Sequence, residues 1–226
     1  MSSKGVKQLL FEQFARVGKA MSNANRLEIL EFLAQSECNV EELSKLAGIT
    51  VANTSQHLQQ LRQAGLVSSR KQGLKVYYSL SGDDVIELLS IQRKVAERHI
   101  AEVDQLIDNF LTVKDSLEPL PREELLSRVK QGLVTIIDVR PAFEYDAGHV
   151  PGAINMPLDK LDDQLADFDS DTEIVAYCRG PHCVLAYDAV EKLRKQGLKA
   201  SRLEDGFPEW KIAGLPVEKT NSKLNS

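Results

Sequence analysis

Long apolar runs are missing from this chain of 226 residues. No stretch approaches the roughly 18 consecutive apolar residues that a membrane-spanning helix needs, so no membrane partner is expected. Met1 to Val17 carries Lys4, Lys7, Glu12 and Arg16 among its apolar positions, which leaves no uninterrupted core of the signal-peptide kind. The expected compartment is therefore the cytoplasm, where thiols stay reduced. Cysteine is scarce: three residues exclude a disulfide-stapled scaffold. Internal repeats and low-complexity tracts are absent. A surplus of positive charge is lacking too, since the net charge is −5, and a whole-chain average of that sign speaks against a polyanion partner. What is present is ordinary globular material, 42% hydrophobic and 27% charged, enough for one or two cores.

The charge is unevenly spread. Residues 1–112 hold 13 basic and 13 acidic side chains, and residues 113–226 hold 15 and 20. Between Glu42 and Asp83 there is no acid, but Lys45, Arg62, Arg70, Lys71 and Lys75 are there. An acid-free basic stretch inside an acidic chain is a candidate polyanion-facing surface. Thr112 to Pro121 carries two prolines after a helical pattern and divides the chain. The expected organisation is a first domain over 1–112, a linker over 113–121, a second domain over 122–219 and a frayed polar tail over 220–226.

The first domain reads as mostly helical. Leu9 to Ala20 and Arg26 to Ala34 show helical apolar spacing. Asn39 can N-cap a short helix whose Glu41 and Glu42 suit the positive end of its dipole, and Gly48 ends it. Thr50 can cap a second, polar helix from Val51 to Ala64, with Ala52, Leu58 and Leu61 facing inward. Two short helices joined through glycine form a helix-turn-helix. Thr50, Asn53, Thr54, Ser55, Gln56, His57 and Gln59 near its start are the candidate contacts to base edges and phosphates, with Arg62 further along. Leu66 to Arg70 and Val76 to Leu80 then read as a hairpin whose basic tip, Lys71 to Lys75, can lie along a nucleic-acid backbone together with Arg70.

The run TVANTSQHLQQLRQAGLVSSRKQGLKVYYSL resembles the recognition helix and wing of ArsR-type winged-helix repressors. The resemblance, over roughly residues 10 to 105, implies a homodimer bound to double-stranded operator DNA and released by an inducer. Asp83 to Leu111 repeats apolar residues along one long helix, about 43 Å at 1.5 Å per residue, which suits pairing with a symmetry mate. The chain departs from the soft-metal sensors of that family. Their paired cysteines would fall at positions held here by Asn39 and Glu41, with only Cys38 nearby. Persulfide sensors of the family need a second thiol on the last helix, and none is there. His99 and Glu102 share an i, i+3 spacing, but two ligands are too few and Asp84 completes them poorly. No metal and no cofactor is expected, and arsenic or metal sensing is the weakest reading.

The second domain alternates strand and helix. Val134 to Val139 is a buried strand followed by Arg140, and Glu173 to Tyr177 is another that delivers Cys178. Arg179, Gly180, Pro181, His182 and Cys183 form a short loop into a helix from Val184 to Gln196. Amides of that loop and the helix start should converge on one anionic atom. The same field favours a thiolate and makes Cys178 the candidate nucleophile. Three ordered motifs, DVRPAFEYDAGHVPGAINMPL, CRGPHC and LEDGFPEWKIAGLPV, closely resemble a rhodanese domain from about Leu120 to Val217. The resemblance implies an α/β fold with a central parallel sheet and sulfur transfer through a persulfide on Cys178. The amides of Arg179 to Val184 would hold the outer sulfur, and Arg179 would supply charge to the anionic donor. Asp138 and Arg140 are expected to brace the loop rather than react. Rhodanese-like phosphatases and arsenate reductases have arginine six positions after the cysteine, where this chain has Val184, which favours the sulfurtransferase. Cys183 is either a space-filling residue or a thiol that resolves the Cys178 persulfide. Cys38 is read as structural, with a sulfur-acceptor role as the alternative. The expected whole is a repressor responsive to reactive sulfur, whose donor is thiosulfate, a polysulfide or a low-molecular-weight persulfide. The rival is a sulfurtransferase whose first half mainly dimerises.

Overall fold

A computed structural model of the chain describes residues 3–115, 118–164, 168 and 172–220. It divides into two compact units, Met1–Leu89 and Ser90–Ser226. Of the tail expected at 220–226, the part beyond Thr220 lies outside the described residues.

The first unit is a winged helix-turn-helix. Helices α1 (Ser3–Met21), α2 (Ala24–Gln35), α3 (Val40–Leu46) and α4 (Val51–Gln63) surround a small sheet of β1 (Cys38–Asn39), β3 (Lys75–Leu80) and β2 (Val67–Gln72), antiparallel in that order. Local chemistry sets the boundaries. Asn39 accepts from the Glu41 and Glu42 amides while Glu42 accepts from the Asn39 amide, a reciprocal cap that starts α3. Thr50 accepts from the Asn53 amide and starts α4. The wing turns at Gly73, whose φ of +61° meets the demand of a two-residue hairpin for a left-handed first residue. Ile29, Leu30, Leu43, Leu58 and Leu61 form the core and are fully buried.

Helix α5 (Asp84–His99) was expected to run unbroken to Leu111. It stops at Ile100, whose φ of −117° and ψ of 101° are extended, and resumes as α6 (Ala101–Leu106) and a π-helical turn (Ile107–Thr112). Apolar periodicity reports which face is greasy, and a break without glycine or proline leaves it unchanged.

The second unit is a doubly wound parallel sheet, ordered β5 (Ile154–Asn155), β4 (Val134–Asp138), β6 (Glu173–Tyr177), β7 (Lys199–Arg202). α7 (Arg122–Lys130), α8 (Ala142–Ala147), α9 (Leu161–Gln164), α10 (Val184–Lys195) and α11 (Phe207–Ile212) complete it. Strand alternation divides the core. Ile136, Val175 and Tyr177 pack with Leu125, Phe207 and Trp210, while Ile137, Ile174, Ala176 and Cys178 pack with α10 through Ala189, Val190 and Leu193. Two of the residues read as a linker, Asp115 and Leu120, make contacts within this unit. Asp115 is buried and pairs with Arg194 (2.8 Å) and Arg202 (3.2 Å). Leu120 bridges to Leu203 in parallel, donating to the Arg202 carbonyl at 2.8 Å. Ser116 and Leu117 lie outside the described residues.

Candidate functional site

The chain leaves β4 toward β5 on one side and β6 toward β7 on the other, so the sheet reverses between β4 and β6. Ligands of open α/β sheets bind at the carboxyl ends of strands at such a reversal. Asp138 and Cys178 stand there. Cys178 is in phase with Ile174 and Ala176, so its side chain falls on the α10 face and is buried.

The loop Arg179–Cys183 turns tightly, with the Cys183 amide donating to the Gly180 carbonyl at 3.1 Å. Cys183 occupies the N-cap of α10. The structure joins Cys178 and Cys183 as a disulfide, with Cα atoms 6.2 Å apart, inside the usual span for such a bridge. Among the described residues, the amides of Gly180, His182, Val184 and Leu185 make no hydrogen bond. With the start of a twelve-residue helix behind them, they can serve an anion.

A buried scaffold holds the loop. Asp138 and Arg140 are both fully buried and form a fork. The Arg140 amide and Nε donate to Asp138 Oδ1 at 3.0 Å, and one terminal nitrogen donates to Oδ2 at 2.5 Å and to the Gly148 carbonyl at 2.7 Å. Burial opposes the Arg140 charge, but hydrogen bonds and the charge of Asp138 outweigh it, and the pKa moves up. Tyr177, the residue before Cys178, donates its hydroxyl to Asp138 Oδ2 at 2.6 Å. Its phenol is pushed far up, first by burial and then by the Asp138 charge. The Arg140 guanidinium lies 4.2 Å from the Phe207 ring centroid, and the Phe207 amide donates to the Cys178 carbonyl at 3.0 Å. Gly206 backs directly onto the loop: a Cβ there would fall 2.3 Å from the Gly180 nitrogen. Only glycine permits that approach.

Arg179 is held by Glu144 of α8, a carboxylate that sequence reasoning missed. Nε donates to both carboxylate oxygens at 3.0 Å and a terminal nitrogen donates at 2.6 Å. The carboxylate is 1% exposed. Arg179 was expected to give its charge to a sulfur donor; here that charge is balanced by a buried partner. The only local signal was an acid in the first turn of α8. Pro181 offers its carbonyl to the Tyr187 hydroxyl at 3.3 Å. His182 Nε2 donates to Glu97 Oε1 at 2.6 Å. Val184 is about half exposed at the start of α10.

On the winged helix, Thr50, Asn53, Ser55, Gln56, Gln59 and Arg62 are exposed and His57 is half-buried. The His57 pKa is lowered, first by burial and then by the Arg26 charge. Thr54 departs from the outward placement expected of it. It is fully buried and donates its hydroxyl to the Thr50 carbonyl at 3.0 Å. The inward stripe runs Thr54, Leu58, Leu61, while Ala52 is exposed. A threonine can take a core position when the carbonyl four residues back satisfies its hydroxyl. Arg70 is bound by Glu37, its Nε donating to Oε2 at 2.8 Å. Among the described residues, Lys71 and Lys75 make no ion pair, and Leu74 between them is fully exposed. Cys38 is buried in β1 opposite Tyr78.

Comparison with known proteins bears on both units. Residues 121–213 match the rhodanese-like domain family, and residues 23–69 match the arsR family of bacterial regulatory proteins. The HTH-type transcriptional regulator Rv0324 of Mycobacterium tuberculosis is 45% identical over 212 residues, covering 94% of this chain and 93% of that protein. The transcriptional activator HlyU of Vibrio cholerae is 46% identical over 74 residues, 31% of this chain and 68% of that protein. A solution structure of the homodimeric winged helix-turn-helix DNA-binding domain (fragment 1–100) of Mb0332 from Mycobacterium bovis is 40% identical. It covers 44% of this chain and 91% of that one, with a TM-score of 0.41. No described helix is long and apolar enough to cross a membrane.

Proposed function

This chain belongs to the ArsR-family transcriptional regulators that carry a rhodanese-like domain, and on that premise we propose that it is a repressor whose operator affinity responds to reactive sulfur taken up at Cys178. The observation that carries the reading is the Cys178–Cys183 pair, set in an amide-lined loop at the reversal of the parallel sheet. The Cys178 thiolate attacks the sulfane sulfur of thiosulfate or the terminal sulfur of a polysulfide. The donor's sulfur–sulfur bond breaks, sulfite or a shortened polysulfide leaves, and Cys178 carries a persulfide. The Cys183 thiolate then attacks Cys178 Sγ. The sulfane sulfur departs with the bond's electrons as hydrosulfide, and the two cysteines remain oxidised as the disulfide. A low-molecular-weight thiol returns the loop to two thiols and is itself oxidised. With Arg179 engaged by Glu144, the unpaired amides and the α10 dipole serve the anionic donor.

The DNA-facing half is α4 with the wing, through the exposed polar residues of α4 and through Lys71 and Lys75. A homodimer is supported by α1, which leaves Val6, Leu9, Leu10, Phe11 and Phe14 between 45% and 63% exposed; a patch of that kind calls for a partner. Operator binding measured with and without polysulfide, on wild type and Cys178→Ser, tests the reading. Wild-type affinity changes with polysulfide and the variant's does not; equal affinities throughout would sink it.

One observation favours a second reading, a sulfurtransferase whose first half mainly dimerises: Glu37 occupies Arg70 and takes one cation from the wing. Operator affinity that ignores the charge of Lys71 and Lys75 would select it.

A further inference from the structure

Three consecutive residues of the cysteine loop are each held by a contact that ends on the segment 93–115, which lies outside both matched families' spans. His182 Nε2 donates to Glu97 Oε1 of α5 at 2.6 Å. The Pro181 carbonyl accepts from Arg202 at 3.5 Å, and Arg202 pairs with Asp115, whose side chain is 1% exposed. Gly180 is backed by Gly206, whose amide donates to Glu209 Oε2 at 3.2 Å, and Arg93 of α5 donates to Glu209 Oε1 at 3.3 Å. These three residues sit between the two cysteines. Bridging Cys178 to Cys183, or opening that bridge, changes the end constraints on the stretch that Glu97, Asp115 and Arg93 grip. α5 itself begins at Asp84, inside the winged-helix unit.

We propose that this segment reads the chemical state of the loop, with Glu97 as the principal reading contact through His182. Asp115 and Arg93 are positioning residues acting through Arg202 and Glu209. The inference rests on the sulfur-responsive reading above and specifies its route. A ligand or covalent state shifts an equilibrium only through contacts that differ between the states, and the His182–Glu97 bond is such a contact.

The test uses the full chain in two forms, the disulfide and the dithiol made by a dithiol reductant that is itself oxidised to a cyclic disulfide. Operator affinity is measured for both forms of wild type, Glu97→Ala and Glu97→Gln. Sulfur uptake by Cys178 from polysulfide is followed by mass. In wild type the two forms differ in affinity by a factor in the usual range of allosteric coupling, roughly 5- to 150-fold. In Glu97→Ala the ratio falls to about one while Cys178 takes up sulfur to the wild-type stoichiometry. Glu97→Gln, whose amide oxygen still accepts from Nε2, retains the ratio. By reciprocity, operator DNA shifts the disulfide–dithiol balance of wild type by the same factor and leaves that of Glu97→Ala unchanged. A coupled wild type whose Glu97→Ala variant keeps the full ratio overturns this route and leaves the sulfur-responsive reading standing. Loss of sulfur uptake in Glu97→Ala also overturns it, because the contact then serves the chemistry. A wild type with equal affinities overturns both.

Discussion

Two arginines, Arg70 in the wing and Arg179 in the cysteine loop, meet different fates. Each was a candidate to face an anionic ligand, and each is bound by a carboxylate more than thirty positions away: Glu37 for Arg70, Glu144 for Arg179. The Arg70 pair is open, with side chains 52% and 41% exposed, whereas those of the Arg179 pair are 14% and 1% exposed. An exposed pair contributes little and is easily exchanged for a phosphate. A buried pair is different, because removing one partner leaves the other charge without water or compensation. So Arg70 can meet a nucleic acid only by giving up Glu37, whereas Arg179 belongs to the framework of its loop.

Breaking the buried pair gives the largest expected effect. Glu144→Ala strands the Arg179 charge and destabilises the second unit by about 3–5 kcal/mol, measured as a lowered denaturant midpoint. A variant as stable as wild type would show that Arg179 escapes to solvent and would erase the contrast. Next comes Gly206→Ala, whose added methyl forces apart the backbone of Gly206 and Gly180. The expected loss is about 1–3 kcal/mol, together with slower sulfur uptake by Cys178, followed by mass.

Smaller still in stability, but large in binding, is the double change Lys71→Glu and Lys75→Glu. Operator affinity falls, and the slope of log affinity against log salt weakens by about two, one for each phosphate that a lysine no longer neutralises. Thermal unfolding should barely move. The least effect on stability is expected from Glu37→Gln, which frees Arg70. Operator affinity rises in a titration at fixed salt; an unchanged affinity would show that Arg70 does not reach DNA. The pH dependence has a definite sign. The hydrogen bond from Arg70 lowers the Glu37 pKa below its ordinary 4.5. The pair's contribution is therefore full at neutral pH and is lost as pH falls through the folded-state value.

The same division separates what the sequence revealed from what it concealed. The caps at Asn39 and Thr50 were legible because a cap and its amides lie within three residues. The strand–loop–helix setting of Cys178 was legible because strand and helix periods differ, and Asp138 and Arg140 stood out as two charges beside a buried strand. The inward place of Thr54 was not, because a polar residue on a helix looks outward until its hydroxyl partner is known. Glu144 left only the mark of an acid in the first turn of its helix, which names no partner, and Gly206 and the break at Ile100 announced neither the close approach nor the interruption.

By itself, the amino-acid sequence determined the two kinds of architecture, the polar helix and basic wing of the first unit, and the placing of Cys178 and Cys183 around a tight loop. These follow from periodicity, caps and turn residues, which act over a few positions. Only the tertiary structure decided which carboxylate neutralises which arginine, that Gly206 must back onto Gly180, and that Glu97 reaches the cysteine loop directly and Asp115 through Arg202. Those interactions join residues far apart in the chain. Their strength depends on distance and burial, and neither quantity exists until the elements pack.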